Sequence, residues 1–152
     1  MSSLDHLLPE GARSPKDYRV LAASPATPPE VLRELVGKDY SFVAEALAGN
    51  PATPADVLLS LVPAQAGEWN DNRRLLTLAK NPSADAAVLQ ACAETVTRAL
   101  SEIRERGQPY SAALALAENP GVDAQTCEAW AALPGSSARF RRGLDVAIKA
   151  RE

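Results

Sequence analysis

Leu47-Ala48-Gly49-Asn50-Pro51 is one of four related stretches in this chain, and their recurrence decides the fold. The others are Leu78-Ala79-Lys80-Asn81-Pro82, Leu116-Ala117-Glu118-Asn119-Pro120 and, with serine in place of asparagine, Leu21-Ala22-Ala23-Ser24-Pro25. A second pair follows each proline at a fixed distance: Val31-Leu32, Val57-Leu58, Val88-Leu89 and Thr126-Cys127. Units that recur at intervals of roughly 20 to 50 residues are typical of repeat architectures, in which each unit buries its apolar face against its neighbours.

Each unit is predicted to contain two helical elements, one on either side of its proline. The first elements are expected at residues 15–23, 41–48, 72–80 and 111–118, and each should end near the proline because the preceding residue is pushed out of the helical region. Thr27-Pro28-Pro29-Glu30 predicts a capping box at the start of a second element, and Thr53 repeats the device. Asp85 and Asp123 are expected to cap the later second elements. The sequence leaves open whether these short elements are α or 3₁₀ helices.

The predicted fold is therefore an all-α helical-repeat solenoid of about four repeats with a cap at each end. The repeats are placed at residues 15–37, 38–63, 72–107 and 108–133, after an N-terminal cap or disordered segment at 1–14. Residues 134–152 are expected to form a capping helix. Two insertions are expected, a surface loop at 63–71 that carries Trp69 and an extension of the third repeat's second helix through Ile103 to Gly107.

The composition fits closely packed helices in a reduced compartment. Hydrophobic residues make up 46% of the 152 residues but aromatic residues only 5%, which favours short alanine-rich helices over a sheet. Cys92 and Cys127 fall at core positions without a paired metal-ligand spacing, so we expect buried free thiols. No signal peptide and no apolar run of about 18–20 residues is found, so a cytoplasmic monomer is expected without a membrane partner.

Residues 43–58 read Val43-Ala44-Glu45-Ala46-Leu47-Ala48-Gly49-Asn50-Pro51-Ala52-Thr53-Pro54-Ala55-Asp56-Val57-Leu58. This pattern resembles the leucine-rich repeat variant family. The resemblance covers roughly residues 15–133 and weakens in the last two units, where Asp85 and Asp123 replace Pro28 and Pro54. It implies a right-handed superhelix of alternating α and 3₁₀ helices and no shared catalytic activity. Some members carry an iron–sulfur domain held by clustered cysteines, but this chain lacks such a cluster, so no cofactor or metal is expected.

The residues that could perform catalysis are sparse. His6 is the only histidine, and no phosphate-binding loop, His-Glu-x-x-His pattern or Gly-x-Ser-x-Gly elbow is present. The carboxylates fall at helix starts and on exposed faces, where capping accounts for them. We therefore expect no enzyme. The remote catalytic alternative is base-excision chemistry that uses Trp69 or Trp130 together with Asp71.

Binding of a protein or peptide is the function that the sequence favours, because solenoids present extended surfaces and aromatic and arginine residues are common interface anchors. The candidate surface comprises Arg19, Tyr40, Glu45, Trp69, Arg73, Arg74 and Tyr110, although these charges could equally serve only solubility. The alternative partner is nucleic acid. It would use a basic patch of Arg139, Arg141, Arg142 and Lys149 on the C-terminal helix, but the net charge of −3 argues against it.

Overall fold

Helices supply all the regular secondary structure in residues 7, 14–38 and 40–151, which are the residues described by the computed structural model. Nine complete α-helices lie in these ranges: α1 Pro15–Ala23, α2 Pro29–Val36, α3 Ser41–Gly49, α4 Ala55–Ser60, α5 Trp69–Lys80, α6 Ala86–Leu100, α7 Tyr110–Glu118, α8 Ala124–Trp130 and α9 Ala138–Lys149. The all-α prediction is confirmed. The short elements are α rather than 3₁₀ helices. None of these helices has both the length and the apolar character that a bilayer span requires.

The chain divides into two compact units, and each of them has two layers of helices. The first unit comprises the described residues up to Leu61 together with Asn81–Ser83, and the second comprises Val62–Lys80 and the described residues from Ala84 onward. In the first unit α1 packs on α3, and α2 packs on α4. In the second unit α5 packs on α7, α7 on α9, and α6 on α8. Within each unit, helices that precede a proline pack on one another, as do helices that follow one.

The repeated apolar positions form the core of both units, as predicted. Each copy has the order Leu-Ala-x-Asn-Pro, with serine for asparagine in the first. The alanine that follows the leucine is buried in all four copies. The leucine is buried in three copies, and Leu21 is half-buried. The position ten residues after each proline is occupied by Leu35, Leu61, Cys92 and Trp130, all of them buried. Alanine at one helix face lets neighbouring helices approach closely, so the core needs few aromatic side chains.

Each Asn-Pro turn of the first unit is held by the asparagine amide. Asn50 Nδ2 donates to the carbonyl oxygens of Ala22 and Ser24, both at 2.9 Å. Asn81 Nδ2 donates in the same way to the carbonyls of Ala48 at 2.7 Å and Asn50 at 3.1 Å. Each of these asparagines therefore ties its own turn to the preceding one, a contact that we call the amide bridge. The Oδ1 atom of each asparagine also accepts a bond from the backbone N–H two residues later.

The capping boxes predicted at Thr27 and Thr53 are wrong. Pro28 occupies the N-cap position of α2, and no side chain caps the helix. Thr27 therefore lies one residue outside α2, where its hydroxyl donates to the carbonyl of Leu21 at 2.7 Å. Thr53 makes the equivalent bond to Leu47 at 2.7 Å. These hydroxyls satisfy carbonyls near the end of the preceding helix, which have no partner within that helix.

Two helix boundaries in the second unit differ from the prediction. The helix α5 begins at Trp69, so this side chain projects from a helix rather than from a loop. The helix α6 ends at Leu100 instead of continuing to Gly107, and Ile103 is 82% exposed. The carbonyl of Leu100 accepts a bond from the N–H of Gly135 at 2.7 Å, which replaces the helical bond it would otherwise receive.

The remaining helix ends follow the sequence. Asp85 accepts from the N–H of Val88 at 3.1 Å, and Asp123 accepts from that of Gln125 at 3.0 Å, so both aspartates cap as predicted. Ser137 caps α9, whose buried side chains Phe140, Leu144 and Ala147 lie on the face that packs against α7 and α8. The C-terminal capping helix is therefore present. The predicted N-terminal cap at 1–14 falls outside the described residues, except for residues 7 and 14.

We expect Asn50→Ala to lower the free energy of unfolding by about 2–3 kcal/mol, because the buried carbonyl of Ala22 loses its side-chain donor and the carbonyl of Ser24 keeps only the N–H of Thr27. Asn50→Asp should cost at least as much, since it places a carboxylate beside the same carbonyls. Urea denaturation measures both changes. The matched control is Asn70→Ala at an exposed position, with an expected change within about 0.5 kcal/mol. Equal stability of the Asn50 and Asn70 variants would contradict a structural role for the amide bridge.

Candidate functional site

The two insertions of the second unit, residues 62–68 and 101–109, lie against each other. Gly67 and Gly107 both have positive φ angles, 130° and 85°. A Cβ atom on Gly107 would lie 2.5 Å from the carbonyl oxygen of Gly67. Only glycine accommodates both this approach and this backbone conformation without strain.

Asn72 on α5 fastens the two insertions together. Its Nδ2 donates to the carbonyl of Gly107 at 2.7 Å, and its Oδ1 accepts from the N–H of Gly67 at 2.9 Å. Arg104 adds a bond from Nη1 to the carbonyl of Ala66 at 2.8 Å. We call the group of Gly67, Asn72, Arg104 and Gly107 the insertion clasp. It fixes the first turn of α5 relative to the segment that leads into α7.

A groove of about 310 Å³ lies beside the insertion clasp. Its walls come from the first half of α5 and the start of α7, namely Trp69, Asn72, Arg73, Leu76, Gln108, Pro109, Ser111 and Ala112. We call it the Trp69 groove. Trp69 is 70% exposed, which is unusual for so large an aromatic side chain. The guanidinium carbon of Arg73 lies 5.1 Å from the centroid of the Trp69 ring, within cation–π range.

The predicted partner surface is distributed over both units. Trp69 and Arg73 meet in the Trp69 groove, and Arg74 is half-buried on the same helix. Tyr110 is not among the residues that line this groove. Its ring stacks on Phe140 at a centroid distance of 4.7 Å, and its hydroxyl donates to the carbonyl of Gly135. Its contacts therefore serve the attachment of α9. Nothing in its sequence context distinguished this packing role from a binding role.

In the first unit, Tyr40 belongs to a separate aromatic cluster. Its ring stacks between those of Tyr18 and Phe42, at centroid distances of 6.3 Å and 5.4 Å. Lys38 Nζ lies 5.1 Å from the centroid of the Tyr18 ring. Arg19 is exposed on α1 and Glu45 is half-buried on α3.

Sequence reasoning missed several residues of these two surfaces, three of which show why. Phe42 completes the aromatic cluster, and its position two residues after Tyr40 was a usable signal. Asn72 and Gln108 line the Trp69 groove. No local pattern marks them, because the insertions that bring them together are far apart in sequence.

Two of the four residues of the basic patch on α9 make bonds within the protein. Arg141 Nη1 donates to the carbonyl of Ser136 at 2.9 Å. Lys149 Nζ forms an ion pair with Asp145 at 2.8 Å. Arg139 and Arg142 are exposed on the same helix. The ion pair with Asp145 therefore offsets the charge of Lys149, while the three arginines stay exposed.

The cysteines have the environment that the sequence predicts. Cys92 and Cys127 are both free and buried. Burial raises the pKa of Cys92 to about 12 and also raises the pKa of Cys127. Among the described residues, no three His, Cys, Asp or Glu side chains are grouped so that they could hold a metal ion.

The tryptophans named for base-excision chemistry lie in different environments. Trp130 is fully buried, and its indole N–H donates to Thr97 Oγ1 at 2.9 Å. It therefore belongs to the core, and Trp69 is the tryptophan that a partner can reach. Asp71 lies half-buried on the first turn of α5. His6 falls outside the described residues.

We expect Gly107→Ala to destabilise the protein by about 1–3 kcal/mol, because the new methyl group meets the carbonyl of Gly67 at a positive φ angle. Chemical denaturation measures the change. Gly37→Ala is the matched control, since its φ is −73° and the added Cβ makes an ordinary contact at 3.5 Å. We expect this control to be neutral or slightly stabilising. Similar losses in the two variants would argue against a special constraint at Gly107.

The stability of the protein should fall between pH 9 and about 12 through ionisation of Cys92. The pKa of this thiol is raised in the folded state, so its contribution to stability is complete below its ordinary value of 9.0 and is lost as the pH rises toward about 12. The expected slope is about 1 kcal/mol per pH unit. Urea denaturation across this range under reducing conditions should show a steeper decline for the wild type than for Cys92→Ala. Parallel curves would contradict the raised pKa.

Comparison of the chain with family models, with curated proteins and with solved structures finds no match in any of the three. Its function is therefore inferred from the geometry of its own residues.

Proposed function

We propose that this protein is a non-catalytic binding scaffold or adaptor that engages a protein or peptide through the Trp69 groove. The observation that carries this proposal is the exposed indole of Trp69 with the guanidinium of Arg73 beside it. Tryptophan and arginine are enriched among the residues that dominate binding energy at protein interfaces. A partner that covers the indole removes a large apolar area from water while ordering few rotatable bonds.

The walls of the groove support binding of an extended segment. The insertion clasp holds one wall in place through three hydrogen bonds, two of which are made by Asn72. A preformed wall reduces the ordering cost of association. Leu76 and Pro109 offer apolar contacts, while Gln108 and Ser111 offer polar groups near them. This mixture suits a peptide backbone with an apolar side chain placed against Trp69.

We further propose that the two units belong to one right-handed helical-repeat solenoid of about four repeats, of the leucine-rich repeat variant type. The layered packing within each unit supports it, because equivalent helices pack on equivalent helices in both. The amide bridges of Asn50 and Asn81 support it as well, since the asparagines of two successive Asn-Pro turns make the same pair of bonds. The proposed solenoid is cytoplasmic and monomeric.

Nucleic-acid binding through α9 is a weaker candidate. Phosphate binding needs cations that can release their counterions to a backbone. Two of the four residues in the basic patch are already bonded within α9 and the turn before it. Base-excision chemistry has still less support, since Trp130 is buried and Asp71 is not among the residues that line the Trp69 groove.

A peptide-library selection tests the main proposal. The full chain is immobilised, and displayed peptides that bind it are collected without any counter-selection against a variant. Synthesised peptides from this selection should bind Trp69→Ala at least about tenfold more weakly than the wild type, as expected for an interface hot spot. Arg73→Ala should weaken binding by a smaller factor. Fluorescence anisotropy of labelled peptides measures the affinities.

The matched control is Val146→Ala, which truncates another exposed apolar side chain, 68% exposed on α9. Its affinity for the selected peptides should stay within about twofold of the wild type. Peptides that bind Trp69→Ala as tightly as the wild type would overturn the assignment of the groove. A selection that yields no binder above background would count against the proposed function itself.

A further inference from the structure

A second concave site lies on the other layer of the second unit, between α6 and α8. Its volume is about 480 Å³, and it shares no lining residue with the Trp69 groove. We call it the α6–α8 pocket. Ala93 and Val122 are buried and form an aliphatic floor, and the carboxylates of Glu94 and Asp123 stand at its rim. The pocket therefore combines an apolar surface with acidic groups.

The lining of the α6–α8 pocket contains two acidic side chains and one basic side chain. Glu94 is exposed on α6, and Asp123 is exposed at the start of α8, where one of its oxygens accepts from the N–H of Gln125. Arg98 is the lining cation, and its Nη2 donates to the carbonyl of Ala64 at 2.9 Å and to Thr95 Oγ1 at 3.1 Å. These bonds hold one arm of the guanidinium against the chain. Both acceptors are neutral, so Arg98 keeps its charge, and the lining carries two carboxylates against one guanidinium.

We propose that the α6–α8 pocket binds an arginine or lysine side chain of a partner peptide. The aliphatic stem of such a side chain would lie on Ala93 and Val122, while its charged head would reach Glu94 and Asp123. Long basic side chains bury their methylene groups on apolar surface in this way and keep the charge in a polar setting. A carboxylate receives a stronger hydrogen bond from a guanidinium or ammonium group than from a neutral donor. The inference is independent of the Trp69 groove.

The chain contains a reporter for this pocket. Thr97 lines it, and Thr97 Oγ1 accepts the hydrogen bond from the indole N–H of Trp130. The protein has two tryptophans, so an amide correlation spectrum contains two indole resonances. Trp69→Phe identifies them by removing one. A ligand in the α6–α8 pocket should move the Trp130 resonance, and a ligand in the Trp69 groove should move the Trp69 resonance.

The test is a titration of the labelled full chain with a capped pentapeptide that carries one arginine among alanines. A second pentapeptide carries citrulline, which has the shape of arginine without its charge. We expect the arginine peptide to shift the Trp130 indole resonance in a saturable manner, and the citrulline peptide to bind at least about fivefold more weakly. Higher ionic strength should weaken the binding of the arginine peptide because both rim carboxylates are exposed.

Isosteric neutral variants provide the second arm. Glu94→Gln should weaken binding of the arginine peptide about threefold, and Glu94→Gln with Asp123→Asn about tenfold. Asparagine caps helices as well as aspartate does, so the double variant should retain its fold, which circular dichroism verifies. Glu128→Gln is the matched control, since it removes an exposed charge from α8 outside the pocket and should leave affinity unchanged.

Three outcomes would overturn the proposed binding of a basic side chain. The first is a Trp130 resonance that does not move, and the second is equal affinity for the arginine and citrulline peptides. The third is an equal change in affinity for the arginine peptide in Glu94→Gln and Glu128→Gln. A shift confined to Trp69 also overturns it, while leaving the proposed function of the Trp69 groove intact. Conversely, failure of the peptide-library selection would not alter a charge-dependent shift at Trp130.

Discussion

The architecture of the first unit depends on one interaction, the pair of hydrogen bonds that a buried asparagine amide donates to the turn before it. A chain that reverses at each Asn-Pro pair leaves backbone carbonyls without helical partners at the end of every first helix. Asn50 donates to one of these carbonyls, that of Ala22, and also to the carbonyl of Ser24 just beyond the helix. Asn81 makes the same two bonds to Ala48 and Asn50. Proline alone could end the helix, but it has no N–H and could not satisfy the carbonyls. The asparagine therefore lies where its own helix ends and also attaches that turn to the preceding one.

Much of the fold follows from the sequence because the signals are local or repeated. The core is marked by apolar residues that recur at fixed distances from each proline. The helix ends at proline and the caps at Asp85, Asp123 and Ser137 are set by residues within one helical turn. The errors lie where distant segments compete with local patterns. Apolar spacing through Ile103 favoured a longer α6, but the N–H of Gly135 takes the carbonyl of Leu100 and the helix stops there. Thr27 carries a capping signal, yet proline at the N-cap position redirects its hydroxyl to Leu21.

The candidate sites were harder to predict for the same reason. Trp69, Arg73 and Tyr110 were chosen by residue type, and residue type does not separate an exposed anchor from a packed ring. The exposed indole of Trp69 and the stacking of Tyr110 on Phe140 emerge only from the tertiary arrangement. The insertion clasp and the α6–α8 pocket each join segments that are far apart in the sequence. Their residues have ordinary sequence contexts, so only their meeting in space marks them.

The amide bridge also gives the first unit an order of assembly during synthesis. Asn50 and Asn81 both donate to carbonyls that lie between 26 and 33 residues earlier in the chain. During synthesis from the N-terminus, each acceptor is made before its donor and emerges from the ribosome ahead of it. The nascent chain can therefore complete one turn after another without waiting for later sequence. Ser24 occupies the asparagine position in the earliest of these turns. Its hydroxyl accepts from the N–H of Ala26, and its carbonyl accepts from Asn50, as does that of Ala22.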